Sequence, residues 1–168
     1  MRTSTSRAVG ASVALAALAG LAACTPADRP LLALRTAGGE PVMLIVSCDD
    51  FRIGRIYLYP LGDNPAVAVD GPERELERTG SAVPDSMPLF GEPPAGWAVT
   101  DDRLTALAPA QRYSLFAGTP DGDDTVPIAF TDADLAGLGP DEVLVGKAPI
   151  SHQRMTEQEF REQGEKDC

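Results

Sequence analysis

Two pairs of adjacent aspartates are the residues of this 168-residue chain whose type and spacing could support catalysis. Asp49 and Asp50 follow an apolar run, and Asp101 and Asp102 stand shortly before Leu104. If the fold brought the pairs together, one carboxyl group could act as a general acid and another as a general base, as in hydrolases. Aspartates also form ordinary turns. Both interpretations stay open, and the sequence by itself assigns no catalytic residue.

A run of acidic residues is a candidate calcium site. Clustered carboxylates on a turn suit Ca²⁺, and such a cluster is present at Asp121-Gly122-Asp123-Asp124. The run lacks the spacing of an EF-hand loop, and a hairpin turn explains it equally well, so no metal is assigned to it. The sequence contains no glycine-rich phosphate loop, dinucleotide fingerprint or HExxH motif, and we expect no cofactor.

The single histidine is the only imidazole that a catalytic triad could use. His152 stands in the run Ser151-His152-Gln153, just before a predicted terminal helix. A residue between two elements is usually exposed to solvent. We therefore expect His152 to be exposed and to take no part in catalysis.

The charge of the chain excludes one class of partner. Fourteen Lys and Arg stand against 25 Asp and Glu, which gives a formal net charge of -11. Nucleic-acid binding depends on Lys and Arg that release counterions from phosphates, so we expect no nucleic-acid partner. Hydrophobic residues make up 43% of the chain, which is enough for the core of one domain.

The first residues have the layout of a secretory leader. Arg2 and Arg7 precede an uncharged stretch at 8–23, which is shorter than the about 20 residues of a membrane span. The stretch leads into Leu21-Ala22-Ala23-Cys24, which resembles the lipobox of bacterial lipoproteins. The resemblance implies a diacylglyceryl group on Cys24, cleavage before it, and a lipid-anchored protein on the outer face of the cell membrane. An ordinary signal peptide with an Ala-x-Ala cleavage site is the alternative.

The lipobox divides the chain into three parts. Residues 1–23 are predicted to be a lipoprotein signal peptide, residues 24–30 a tether, and residues 31–168 a single β-rich domain. The membrane is then one partner, reached through the lipid, and a protein at the cell surface is the other that we expect. With more Arg than Lys and a final cysteine, the layout is similar to small lipoproteins of GC-rich Gram-positive bacteria. That resemblance implies no activity.

Lipidation of Cys24 would leave two further cysteines, Cys48 and Cys168. An even pair in an oxidising compartment is expected to form a disulfide. A redox-active pair and a metal site are the alternatives, although CxxC spacing is absent. The bond would pin the last residue of the chain to an early strand.

Short apolar runs between turn residues predict a mainly β domain. The predicted segments are 31–34, 42–46, 53–59, 97–100, 104–107, 113–117, 126–130 and 143–145, with a glycine turn at 37–39. Pro127 has no N–H to donate, which places its strand at a sheet edge. Thr131 and Asp134 predict the cap of a single helical turn.

Residues 60–96 form a Pro-rich excursion that contains seven of the 15 prolines. A segment of this length without periodicity is usually a functional or a disordered loop. Its apolar residues Met87, Leu89 and Phe90 suggest either a partner-binding loop or a cap on the open end of the β domain. Both interpretations stay open.

The chain is predicted to end in a helix. Thr156 and Glu159 have the spacing of a capping box, and Met155 and Phe160 that of a hydrophobic staple. Gly164 weakens the helix interior by about 1 kcal/mol, which the proposed bond at Cys168 would offset.

The predicted fold is an antiparallel sandwich or small barrel with a C-terminal α-helix. Within it, residues 107–115 resemble the tyrosine corner of fibronectin type III domains, with Leu107 and Pro109 before Tyr113. The resemblance implies that the Tyr113 hydroxyl forms a hydrogen bond with the backbone and that the architecture is sandwich-like, but it implies no function.

Two function classes follow from these features. The first is a membrane-anchored, extracytoplasmic binding or accessory module without catalytic activity. The second is a cell-envelope hydrolase that uses the aspartates at 49–50 and 101–102.

Overall fold

The computed structural model describes residues 29–62 and 73–168. The predicted signal peptide, Cys24 and the central part of the Pro-rich excursion therefore lie outside the described residues. Within the described ranges, strands are the main element and a helix closes the chain. The prediction of a mainly β fold with a C-terminal helix is confirmed.

The described residues form ten strands and two helices. The strands are β1 (Leu32–Ala37), β2 (Glu40–Ile45), β3 (Arg55–Leu61), β4 (Arg74–Arg78), β5 (Ser86–Pro88), β6 (Trp97–Asp102), β7 (Arg112–Gly118), β8 (Ile128–Phe130), β9 (Glu142–Lys147) and β10 (Ser151–Thr156), and the helices are α1 (Asp132–Ala136) and α2 (Glu157–Asp167). One sheet in the order β5-β2-β1-β9-β10-β8-β7-β3-β4-β6 curls into a half-barrel. Of its pairings, only that of β8 with β10 is parallel.

A tight turn joins β1 to β2. Ala37 lies opposite Glu40, so the turn consists of Gly38 and Gly39. Their φ angles are 61° and 88°, in the left-handed region that glycine adopts without strain. The predicted glycine turn between these two segments is confirmed.

Strands β9, β1 and β2 form a part of the sheet that we call the helix-covered half. Helix α2 packs on β9 and β10 and reaches Val46, which follows β2. Residues 32–34 of β1 and 143–145 of β9 are each at most 1% exposed. Because successive strand residues point to opposite faces, both faces of this half are buried, and its strands read as continuous apolar runs.

Helix α2 begins where the capping box predicts. The Glu159 N–H donates to Thr156 Oγ1 at 3.2 Å, and the Thr156 N–H donates to Glu159 Oε2 at 2.8 Å. These bonds from the Thr156 backbone and hydroxyl hold the pKa of the Glu159 carboxyl below its ordinary value. Phe160 is fully buried and Met155 packs against the core.

Gly164 lies against Val46. A Cβ atom at position 164 would stand 2.8–3.0 Å from three carbon atoms of the Val46 side chain. The glycine therefore allows α2 to approach the strand, which is a role that its unfavourable helix propensity does not reveal.

A disulfide joins Cys48 to Cys168, with the two Cα atoms 5.2 Å apart. The bond spans a sequence separation of 120 residues and attaches the end of α2 to the segment after β2. The predicted pairing is therefore present, and it reinforces the helix-covered half.

The two faces of β3 and β7 differ in burial. Ile56, Leu58, Leu115 and Ala117 lie on the core side and are at most 1% exposed. The other side carries half-buried aromatic residues and Arg55, and we call it the open face; its aromatic residues are Tyr57, Tyr59 and Phe116. The main contacts of both described helices are made elsewhere, with β1, β9 and β10.

The expected tyrosine-corner hydrogen bond is present. The Ala108 N–H donates to the Tyr113 hydroxyl at 2.8 Å, and Tyr113 is 1% exposed. The strand that contains this tyrosine belongs to the single curled sheet, so the local motif occurs here within a half-barrel.

Arg74 of β4 contacts the segment that connects the two edge strands, β5 and β6. Its guanidinium bonds the Gly91 carbonyl and the Asp102 carboxylate, and lies 5.9 Å from the centroid of the Phe90 ring. The side chain is only 3% exposed. A buried arginine needs such partners, and here they hold the 89–96 connection against β4 and β6.

Two predictions about strands are wrong. Pro127 does not mark an edge, because β8 begins one residue later and lies between β7 and β10. The missing N–H therefore falls outside the ladder. Residues 104–107 form no strand, although Leu104 is buried.

The Pro-rich excursion is more ordered than its composition indicates. It contains β4 and β5, and Met87 and Leu89 are core residues with 2% and 1% exposure. The interpretation of these two residues as a partner-binding surface is therefore wrong. Strand β4 escapes recognition because Leu76 is the only apolar residue in it. The polar strand β10 gave no signal for the same reason.

Candidate functional site

Three of the four aspartates considered for catalysis are bound by arginines. Asp50 accepts from Arg29 at 2.9 Å, Asp101 from Arg103 at 2.6 Å, and Asp102 from Arg74. Hydrogen bonds from Arg103 lower the pKa of the Asp101 carboxyl, whereas a general acid requires a raised pKa. These contacts give the three aspartates fixed partners and do not support a shared acid and base.

Asp49, the fourth of these aspartates, is exposed to solvent and lines a surface cleft beside the disulfide.

The acidic run at 121–124 forms a turn. Gly122 has a φ of 94°, and the Thr119 N–H bonds the Asp123 carbonyl at 2.8 Å. Burial, followed by the charge of Asp123, raises the pKa of the Asp124 carboxyl. In the described part of the chain, no group of three or more His, Cys, Asp or Glu side chains could hold a metal ion.

His152 lies within β10 and is half-buried, so the prediction of an exposed residue is wrong. Its Nδ1 stands 2.6 Å from the Ala129 carbonyl oxygen, which can only accept, so Nδ1 carries the proton. Its Nε2 is 3.8 Å from Asp134 Oδ1. The ring therefore links β10 to β8 and α1.

Asp134, next to this histidine, illustrates opposing influences on one carboxyl group. Burial raises its pKa, but the two hydrogen bonds from Thr131 and the charges of His152 and Arg154 together hold it below its ordinary value. The carboxylate thus stays charged, as the capping box of α1 requires.

A groove in the described residues follows α2. Its volume is about 570 Å³, and four of its residues are acidic, against Arg161, which binds Glu157 at 2.7 Å. The acidic residues are Asp141, Glu157, Glu162 and Glu165. The groove is a solvated helix surface, and nothing in it gathers groups for catalysis.

Two further clefts adjoin at one end of the half-barrel, which we call the cleft end. The first cleft, of about 420 Å³, lies beside the start of β3 and is lined by Arg55, Tyr57, Glu77 and Asp124. The second cleft, of about 410 Å³, lies beside the disulfide and is lined by Asp49 and Arg52. Arg78, the last residue of β4, lines both clefts.

The first cleft continues into the open face. The Tyr57 ring stacks on Phe116 with centroids 4.9 Å apart, and Tyr59 meets Phe116 edge-on at 6.0 Å. Arg55 binds Glu77 at 3.3 Å beside these rings, and its bonds to Tyr57 and Glu77 raise the pKa of the guanidinium. Aromatic rings next to charged donors and acceptors are typical of ligand-binding surfaces.

Close backbone contacts position the loops of the second cleft. The Thr79 and Gly80 N–H groups both donate to the Gly96 carbonyl, at 2.8 and 3.0 Å. A Cβ on Gly80 would lie 3.0 Å from the Gly96 Cα, so glycine lets the two chains meet. This contact sets the course of residues 79–83, which bring Ser81 and Val83 to the cleft.

Arginines at the cleft end differ from most others in the described residues. Seven of the ten described arginines lie within 4.0 Å of a carboxylate, namely Arg29, Arg35, Arg55, Arg74, Arg103, Arg154 and Arg161. Arg52, Arg78 and Arg112 have no such partner in the described ranges, and the first two line the second cleft. The guanidiniums of Arg52 and Arg78 therefore have hydrogen-bond donors that no carboxylate of the described residues occupies.

No sequence motif indicates this site. Arg52 and Arg78 are 26 positions apart and belong to no motif, and only the pairing of β3 with β4 brings their segments together. A weak signal was available in Asp49, one of the aspartates considered for catalysis, because it lines the same cleft.

Comparison with other proteins adds no identification. No family model, curated protein or solved structure matches the chain. None of the helices in the described ranges is long and apolar enough to cross a membrane.

Proposed function

We propose that this protein is a lipid-anchored, non-catalytic binding module on the outer face of the cell membrane, and that the cleft end is its binding surface. The observation that carries the proposal is the junction of two clefts at Arg78, beside a half-exposed aromatic cluster. Concave surfaces that combine aromatic rings with a few polar groups are the usual form of ligand sites.

The position of Arg29, at the end of the predicted tether, supports a cleft end that lies close to the membrane. Arg29 binds Asp50 at 2.9 Å and lies 6.0 Å from the centroid of the Phe51 ring, and Phe51 lines the second cleft. Cys24 is five residues before Arg29, so an anchored chain could extend at most about 18 Å from the lipid to this point. A lipid on Cys24 would therefore keep the cleft end close to the membrane surface.

The electrostatics of the cleft end favour binding over proton transfer. Asp50 and Glu77 are held by Arg29 and Arg55 in ion pairs at 2.9 and 3.3 Å. Both carboxylates therefore act as hydrogen-bond acceptors for guanidinium donors. A hydrolase needs a carboxyl group that is available to exchange a proton with its substrate.

Detergent-phase partitioning of the expressed full chain tests the anchoring. Native protein is expected in the membrane fraction and in the detergent phase, and Cys24→Ser in the aqueous phase, because the diacylglyceryl group needs the Cys24 thiol. Intact mass before and after reduction checks both the lipid on Cys24 and the bond between Cys48 and Cys168. Native protein in the aqueous phase without added mass would contradict the anchored module.

Assays on envelope polysaccharides test the absence of catalysis. The native protein is expected to release no product. Turnover that disappears when Asp49, Asp50, Asp101 and Asp102 are all replaced by Asn would instead establish the hydrolase.

A further inference from the structure

The second cleft combines positive charge with hydroxyl groups. Arg52 and Arg78 line it without carboxylate partners in the described residues, and Ser47 and Ser81 line it as well. These four side chains offer hydrogen-bond donors, and the two guanidiniums supply two positive charges. Such a concentration stands out in a chain with a formal net charge of -11.

A phosphate group satisfies this donor set better than a carboxylate does. A carboxylate has a single negative charge and two oxygens, and one guanidinium can engage both oxygens in a bidentate pair. A phosphate ester has up to three free oxygens and a charge of about -1.5 to -2 in the monoester form, so it can bind two guanidiniums and a hydroxyl together. Arginine is the residue whose planar fork suits this geometry.

The remaining walls of the cleft suit an organic substituent. Phe51, Ile53 and Val83 line it, and its volume is about 410 Å³. Apolar contacts next to a charged pocket allow an ester to bind through both its phosphate and its carbon atoms. A phosphate ester therefore matches the cleft more completely than the inorganic ion.

We infer that the second cleft binds the phosphate of a phosphate ester through Arg52 and Arg78. This inference rests on the proposed function, because it names the ligand class for one of the clefts at the same end of the molecule. At the membrane surface, such a phosphate belongs either to a phospholipid headgroup or to a soluble ester. A soluble monoester presents three free phosphate oxygens and a phospholipid headgroup, which is a diester, presents two, and both kinds of phosphate accept from guanidinium donors.

Among the described residues that line this cleft, Asp49 is the only one with a carboxylate side chain, and it opposes an anionic ligand. Its presence gives the inference a second, opposite test. Removal of the Asp49 charge is expected to strengthen phosphate binding, whereas removal of the Arg52 and Arg78 charges is expected to weaken it.

Hydrogen exchange on the native lipidated protein in phosphatidylcholine vesicles provides the measurement. One arm adds glycerol 3-phosphate to the solution, and the other replaces part of the phosphatidylcholine with phosphatidylglycerol. The amides at 47–53 and 78–83 are expected to gain protection. Protection by glycerol 3-phosphate identifies a soluble ester as a ligand, and protection by phosphatidylglycerol identifies a headgroup.

Variants establish which groups are responsible. The double change Arg52→Gln and Arg78→Gln is expected to raise the apparent Kd by about tenfold or more, because each removes a charged hydrogen-bond donor. Asp49→Asn is expected to lower it by about two- to fourfold. Arg112→Gln is the matched control, since it removes an exposed arginine that is also without a carboxylate partner in the described residues but lies outside both clefts.

No protection in either arm would overturn the inference, as would protection that the double arginine variant retains or that Arg112→Gln abolishes equally. Thermal unfolding of each variant checks that the fold is intact. Partitioning of Cys24→Ser reports on the anchor alone. Failure of the anchor would therefore contradict the proposed function while the titration with glycerol 3-phosphate remains decisive for the cleft.

Discussion

The helix-covered half and the open face show how one sheet can serve two purposes. In the helix-covered half, successive residues of β1 and β9 are buried on both sides, with α2 over them and a disulfide at the end of that helix. Along β3 and β7, core residues alternate with the half-buried aromatic residues and Arg55 of the open face. The comparison indicates that stability is concentrated in the first region, which leaves the second available for binding.

The disulfide is expected to give the largest effect. Replacement of Cys48 and Cys168 by Ser should lower the free energy of unfolding by up to about 5 kcal/mol, because a cross-link over a long loop restricts the unfolded chain. Urea unfolding of the variant and of the native protein measures the difference. A change below about 1 kcal/mol would show that the helix-covered half does not depend on the bond.

Neighbouring residues on opposite sides of β7 provide a matched pair. Leu115 is fully buried and Phe116 is half-buried on the open face. Leu115→Ala is expected to cost about 2–5 kcal/mol through lost burial and a cavity. Phe116→Ala should lower the free energy of unfolding by less than Leu115→Ala does, because the Phe116 ring is only half-buried. Its pairs with Tyr57 and Tyr59 contribute about 0.5–1.5 kcal/mol in addition to the contact area that is lost. Equal losses would mean that the open face is part of the structural core.

A substitution at Gly164 tests how closely α2 must pack on the sheet. Gly164→Ala is expected to destabilise the protein by about 1–2 kcal/mol, since overpacking outweighs the gain in helix propensity. The same change should cost less on a Val46→Ala background, because that background lacks the methyl groups that the new Cβ would meet. A stabilised Gly164→Ala protein would show that α2 can move away at no cost.

Asp124, in the first cleft, should give the smallest effect. Its folded-state pKa is raised above the ordinary 3.8, so the folded protein holds this proton more tightly than the unfolded chain. Its contribution to stability is therefore present below pH 3.8 and is lost as the pH rises through the folded-state pKa. Relative to the native protein, Asp124→Asn should gain in Tm over that range. A relative loss of Tm with rising pH would mean that the charged form of Asp124 is stabilised instead.

Elements specified by nearby residues could be predicted from the sequence. The capping box of α2 involves Thr156 and Glu159, and the β1–β2 turn needs only Gly38 and Gly39. The hydrogen bond of the tyrosine corner spans six residues, from Ala108 to Tyr113. Each depends on hydrogen bonds or dihedral preferences within one turn of chain, so residue type and spacing are sufficient.

Predictions failed where the decisive contact is distant. Strands β4 and β10 have few apolar residues and therefore no hydrophobic pattern. They form because they pair with neighbouring strands of the curled sheet. Pro127 was assigned to an edge because the sequence does not show that β8 begins one residue later. Apolar runs predict that a strand exists, but not which strands lie on either side of it.

The sequence by itself determined the β class, the terminal helix and its cap, and, through the lipobox resemblance, a pairing of Cys48 with Cys168. Only the tertiary structure decided that Gly164 meets Val46, that Arg74 ties the 89–96 connection to β4 and β6, and that Arg52 and Arg78 share a cleft. The reason is physical. Local signals report backbone preferences over a few residues, whereas a cleft exists only after the sheet has curled and brought distant segments into contact.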